Sequence, residues 1–240
     1  MYNNYKNFSW TCKLNTLLNI SNGLKRIHQK QTFHRDLHTG NILFNIKGID
    51  IFSNKILSIS DMGLCGEVDN TDDTKIYGVM PYIAPEVLRG KPYTQAADIY
   101  SFGMIMYFAA TGKQPFSDRA HDEALALKIC KGNRPEINEP EAPKCYIELM
   151  KRCWDSDPDN RPSAIEVDKL INSFYMSYYM NNEIQKQFKE AEEFRQANPS
   201  SIKDGRSYTH PQAIYTSRLL NPFTDGLQKD DHSECLNCKI

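Results

Sequence analysis

The 240-residue sequence predicts a mainly α-helical domain with short β-hairpins over residues 1–175. An exposed helix over 176–197 and a disordered tail over 198–240 follow it. Three observations carry this reading. Apolar residues recur at helical spacing in a series of segments punctuated by Gly, Pro and Asp. Only short runs, Ile42-Leu43-Phe44 and Ile56-Leu57-Ser58-Ile59, read as strands. Beyond residue 177 the composition turns polar and charged, and residues 198–240 are rich in Ser, Asp, Asn, Lys and Gly, too poor in apolar side chains to form a core.

The elements follow in order. Leu14, Leu17, Leu18, Ile20, Leu24 and Ile27 keep the period of an amphipathic helix, weakened near Gly23 because glycine costs about 1 kcal/mol against alanine. The two strand runs are separated by residues 45–55, where Gly48 breaks the pattern and a surface extension of a hairpin is expected. Residues 64–80 read as loop. The stretch from Tyr93 to Gly103 opens a helix, apolar on nearly every side, that runs to about Thr111, the pattern of a buried helix, and Gly112 stops it. Helices are expected near 120–131, 144–154 and 163–174, the last with Pro162 in its first turn. Ile184, Phe188, Ala191 and Phe194 form a narrow apolar stripe that fits a partner helix or, more simply, the surface of the domain itself. Thr209 to Tyr215 is a candidate docking strand.

Charge and composition exclude several functions. A formal net charge of −1 gives no field for nucleic acid or an acidic membrane. The longest apolar run, Met104 to Ala110, is too short to span a bilayer, and the polar N-terminus lacks a signal-peptide core. Seven scattered cysteines, an odd count, fit reduced thiols and a cytoplasmic location. His232-x-x-Cys235-x-x-Cys238 lacks the fourth ligand of a structural zinc site.

The chemistry concentrates in one stretch. It reads His34-Arg35-Asp36-Leu37-His38-Thr39-Gly40-Asn41, then an apolar run, and later Asp61-Met62-Gly63. Asp36 is suited to orient a hydroxyl and accept its proton, while Asn41 and Asp61 offer hard oxygen ligands for Mg²⁺. Ala84-Pro85-Glu86, Asp98-Ile99-Tyr100-Ser101-Phe102-Gly103 and Cys153-Trp154-Asp155 with Asp157-Pro158-Asp159-Asn160-Arg161-Pro162 follow in order.

With these motifs the chain resembles the C-terminal lobe of a eukaryotic protein kinase, of the fungal-type tyrosine-kinase-like group, over roughly residues 8–174. The resemblance implies transfer of the γ-phosphoryl of Mg-ATP to a protein hydroxyl, with a protein substrate or protein partner and neither nucleic acid nor membrane. Asp36 becomes the base, Asn41 and Asp61 the cofactor and metal ligands. His34 and Asp98 shape the loop, and Glu86 and Arg161 form a buried ion pair. Arg35 implies docking of a phosphate added to the activation segment, for which Thr71, Thr74 and Tyr77 are the candidates.

The sequence departs from the family pattern in four places. No G-x-G-x-x-G or Val-Ala-x-Lys strand precedes His34, so the N-lobe with most of the adenine pocket is expected to be absent and this chain alone inactive. His38 stands where serine/threonine kinases carry Lys, so a weaker phosphate contact is expected of it, and Val79 stands where they carry Thr. Twenty positions separate Asn41 from Asp61, more than usual. A pseudokinase-like interaction module and a fragment of an incomplete gene are the alternatives.

Overall fold

Ser9 starts the first helix, its Oγ accepting from the Cys12 amide 3.3 Å away. The computed structural model describes residues 8–45, 56–61, 66–67, 75–198, 209–224 and 226. Met62, Gly63, Thr71, Thr74, His232, Cys235 and Cys238 lie outside these described residues. Helix α1 (Trp10–Gln29) buries Leu14, Leu17, Ile20 and Leu24 along one face. It runs unbroken through Gly23, where a Cβ would stand 3.0 Å from Ile59 Cδ1. The missing side chain therefore lets a strand lie against the helix. That strand is β3 (Ile56–Ile59), paired antiparallel with β2 (Ile42–Asn45) in the register Ile42↔Ile59 and Asn45↔Ile56. Between α1 and β2 the chain forms β1 (Thr32–Phe33), which pairs with β4 (Gly66–Glu67), and then the loop that begins at His34.

The short β5 (Tyr77–Gly78) and α2 (Pro85–Leu88) lead to α3 (Gln95–Thr111), which is buried from Ala97 to Ala110. Each Leu, Ile or Phe fully buried there contributes about 1.5–3 kcal/mol. Helices α4 (Glu123–Cys130) and α6 (Ala164–Ser177) are capped by the side chains of Asp122 and Ser163, and α5 (Lys144–Cys153) packs on α3. Against α1, α6 places Asp168, which accepts from Ser21 Oγ at 3.2 Å and pairs with Lys25.

Helix α7 (Glu183–Ala197) keeps a polar outer face and lays its apolar stripe on the domain. Phe188 is fully buried, its ring 5.5 Å from Trp10 and 5.8 Å from Phe174, and Glu192 accepts from the Trp10 amide at 3.1 Å. Its narrow stripe suffices because Trp10 and Phe174 offer a matching aromatic hollow. The tail read as disordered over 198–240 is ordered over 209–224. There β6 (Arg218–Leu219) pairs antiparallel with β5, so the strand lies just after the expected 209–215. Leu220 is fully buried, and its amide donates to Ile76 O at 2.7 Å.

Candidate active site

One carboxylate builds the loop. Asp98, in the first turn of α3 and fully buried, accepts from the His34 amide at 2.8 Å, the Arg35 amide at 3.1 Å, His28 Nε2 at 2.9 Å and Tyr93 Oη at 2.9 Å. Two consecutive amides face a single carboxylate because Arg35 adopts φ +71°, a left-handed conformation that costs a non-glycine residue about 1–2 kcal/mol. Burial, aided by the nearby Asp98 charge, pushes the Tyr93 phenol well above its usual pKa and keeps it a donor.

His34 passes this order on. Its Nδ1 accepts from the Asp36 amide at 3.3 Å, which leaves Nε2–H to donate to Ser60 O at 3.0 Å. The Ser60 amide in turn donates to Asn41 O at 2.8 Å. Ser60 is thus held from both ends of the loop, and the next residue, Asp61, turns outward with φ +62° and is exposed.

Asp36 is 3% exposed, and Asn41 Nδ2 donates to its backbone O at 2.9 Å and to its Oδ2 at 3.2 Å. With both amide hydrogens used this way, Asn41 presents Oδ1 as an acceptor. An amide oxygen and the exposed Asp61 carboxylate are hard donors of the kind Mg²⁺ takes, so the residues present fit that ion. His38 accepts from the Gly40 amide on Nδ1 at 3.0 Å, so its Nε2 carries the hydrogen and points to Asp36 Oδ2, 3.5 Å away. Burial works to raise the Asp36 pKa, but hydrogen bonds from His38, Ser217 and Asn41 outweigh it and hold the carboxyl below its ordinary value. The group is therefore an ionised acceptor at neutral pH. Its Oδ1 is buried without a hydrogen-bond partner. That oxygen faces Gly78, whose φ is +142° and where a Cβ would lie 3.3 Å from it and 2.5 Å from Ile83 Cδ1. Any side chain at position 78 would press on both.

The wall opposite is braced by a network and an ion pair. Tyr82 Oη donates to Gln114 Oε1 at 2.6 Å, and Gln114 Nε2 donates to Thr39 Oγ1 at 3.1 Å. Arg161 grips Glu86 with two parallel bonds, at 2.7 and 2.8 Å, and donates also to Ala96 O and Asp155 O. Both Glu86 carboxylate oxygens and all three nitrogens of the Arg161 guanidinium are thereby engaged. Val79 lies in the core. Tyr77 is 46% exposed on β5. The Arg35 guanidinium stacks over the Phe33 ring at 5.2 Å.

Sequence reading missed a residue that the fold brings to this site. Ser217 Oγ lies 2.5 Å from Asp36 Oδ2 and 3.2 Å from His38 Nε2. The available signal was the run of Ile214, Tyr215, Leu219, Leu220 and Phe223 inside an otherwise polar tail.

A family model described as "Protein kinase domain" matches residues 3–176. A serine/threonine-protein kinase of Arabidopsis thaliana is 31% identical over 160 residues, covering 66% of this chain and 27% of that protein. The dual specificity protein kinase pyk3 of Dictyostelium discoideum is 34% identical over 163 residues, 65% of this chain and 11% of the relative. The receptor-interacting serine/threonine-protein kinase 1 of Homo sapiens is 32% identical over 174 residues, 67% of this chain and 26% of the relative. The chain thus spans between 11% and 27% of the length of these relatives.

Proposed function

Since the chain belongs to the protein kinase domain family, we propose that its Asp36 site transfers the γ-phosphoryl of ATP to a protein hydroxyl. The observation that carries the proposal is the Asp36 carboxylate, ionised and buried, with a hydroxyl already hydrogen-bonded to it. Asp36 orients the acceptor hydroxyl and takes its proton. Asn41 and Asp61 hold Mg²⁺, which with the nucleotide supplies the transferred group and the positive charge that offsets charge developing on phosphate oxygens. His38 supports the same hydroxyl from Nε2. His34 and Asp98 position the loop. Glu86 and Arg161 fix the segment that forms its far wall. Arg35, half-buried beside the loop, is the cation that would receive a phosphate on Thr71, Thr74 or Tyr77. The motif set supports placement in the fungal-type tyrosine-kinase-like group. Reduced cysteines support a cytoplasmic site of action. Among the described residues no helix is long and apolar enough to cross a membrane.

No Gly-rich phosphate loop occurs in the sequence. We infer that ATP must be held in part by residues other than these, and that transfer by this chain alone is weak or nil. A second reading, a pseudokinase-like module that binds protein partners on this face, is favoured by the occupation of Asp36 by Ser217.

The test is phosphate transfer from γ-labelled Mg-ATP to an added hydroxyl-bearing protein, with the chain alone and with a nucleotide-binding lobe from a relative supplied in trans or by fusion. Asp36→Asn should lower any transfer by at least ~100-fold. Transfer that survives Asp36→Asn contradicts the assignment. No transfer in any format, with no Mg-ATP-dependent rise in melting temperature, favours the binding module.

A further inference from the structure

The segment 209–224 hydrogen-bonds to the domain at successive points and reaches Asp36 at Ser217. His210 N donates to Ser117 O at 2.9 Å, and Tyr215 Oη donates to Pro115 O at 2.9 Å. His121 Nδ1 donates to Ile214 O at 2.9 Å, and the Tyr215 ring stands edge-on to His121 at 4.8 Å. Arg218 donates to His121 O at 2.6 Å while its guanidinium covers the Phe223 ring at 4.6 Å. Beyond it, Asn221 Oδ1 accepts from the Ile76 amide at 2.8 Å. Register places Arg218 opposite Gly78 and Leu219 opposite Tyr77, so the residue just ahead of the strand, Ser217, falls at Asp36.

These contacts have the form of peptide recognition by strand addition. Backbone pairing on β5 gives affinity, and fixed positions give selection. The positions are a hydroxyl at Asp36, an Arg after it, a Leu three residues after it in a fully buried pocket, and an aromatic ring two residues before it. We propose that β5, Asp36, His38 and His121 form a binding site for an extended hydroxyl-bearing peptide, and that residues 209–224 are its intramolecular occupant, with Ser217 in the place of an acceptor hydroxyl. The proposal rests on the reading of Asp36 as the base only for the word acceptor. Binding of the peptide stands without it. An incoming protein segment of the same pattern must displace the tail, which excludes poorly matched substrates or partners.

The test uses the full chain and a fluorescent synthetic peptide with the sequence of residues 209–224. Leu220→Asp puts a charge into the buried pocket and should release the tail. Tyr215→Asp, on the half-buried rim, does the same without touching the core. The released variants should bind the peptide saturably, and the unaltered chain should bind it at least ~10-fold more weakly because its own tail competes at high effective concentration. Ser→Ala at the position of Ser217 in the peptide should weaken binding about 10-fold, the scale of a hydrogen bond to a charged acceptor. A chain carrying Tyr77→Cys and Leu219→Cys, opposite each other in the register, should form a disulfide that excludes the peptide until reduced. Equal peptide binding by the released and unaltered chains, or binding by neither released variant while each remains folded by circular dichroism, overturns the proposal. Phosphate transfer measured in parallel separates the two readings. Peptide competition without transfer contradicts only the kinase activity, and transfer without competition contradicts only this inference.

Discussion

The Ser217 hydroxyl stands 2.5 Å from Oδ2 of Asp36, a contact that joins residues 181 positions apart. Around it the site divides into a part built by neighbouring sequence and a part built by the tail. The first depends on Asp98, the second on His121, and each yields its own expectations.

Asp98→Asn should unbuild the loop. The carboxylate collects four donors, and an amide presents its NH₂ to some of them. The expected loss is about 3 kcal/mol, since unpaired buried donors cost roughly 1–3 kcal/mol each. Urea unfolding measures it, and amide exchange at His34 and Arg35 should accelerate beyond the global change.

Glu86→Gln or Arg161→Met should each cost about 3–5 kcal/mol, because either leaves one buried charge without its partner. The double replacement Glu86→Gln/Arg161→Met should cost less than the sum. Chemical denaturation of the three variants supplies the comparison, and additive losses would contradict the assigned pairing.

Much of this inner site was legible in the sequence because local motifs encode it. The residues from His34 to Asn41 sit on one loop, and the buried character of α3 is written in its unbroken apolar run. What escaped reading depends on distant partners. Phe188 is legible as part of an apolar stripe that fits the domain, but its partners Trp10 and Phe174 are not. Ser217 carries no signal of its own. Its position follows from the pairing of β6 with β5 and from Leu220, and a two-residue strand is too short to show a period.

Phe188→Ala should therefore destabilise far more than a surface substitution, by about 3–5 kcal/mol. Thermal unfolding with and without residues 182–198 checks this. A loss below ~1 kcal/mol would mean that α7 does not carry the packing described.

Tail docking should weaken in mild acid through His121. Burial pushes its pKa down, against hydrogen bonds with Ile214 and Phe116 that act upward, while the nearby Arg218 lowers it further. The folded, tail-docked state thus binds fewer protons than the unfolded chain once pH falls below about 6.5. Stability is full above that value, is lost as pH falls toward the lower folded pKa, and then levels off. Amide exchange at Leu220 should quicken between pH 7.5 and 5.5 after correction for intrinsic rates. His121→Asn should remove the pH dependence.

The most direct measurement is a double-mutant cycle between Asp36→Ala and Ser217→Ala, read as the free energy of local opening from amide exchange at Leu220, whose N–H donates to Ile76 O. If the tail serine is held by the Asp36 carboxylate, the two substitutions should be coupled by about 1.5–3 kcal/mol, the range for a hydrogen bond to a charged group. Coupling indistinguishable from zero, with both single variants folded, would contradict it.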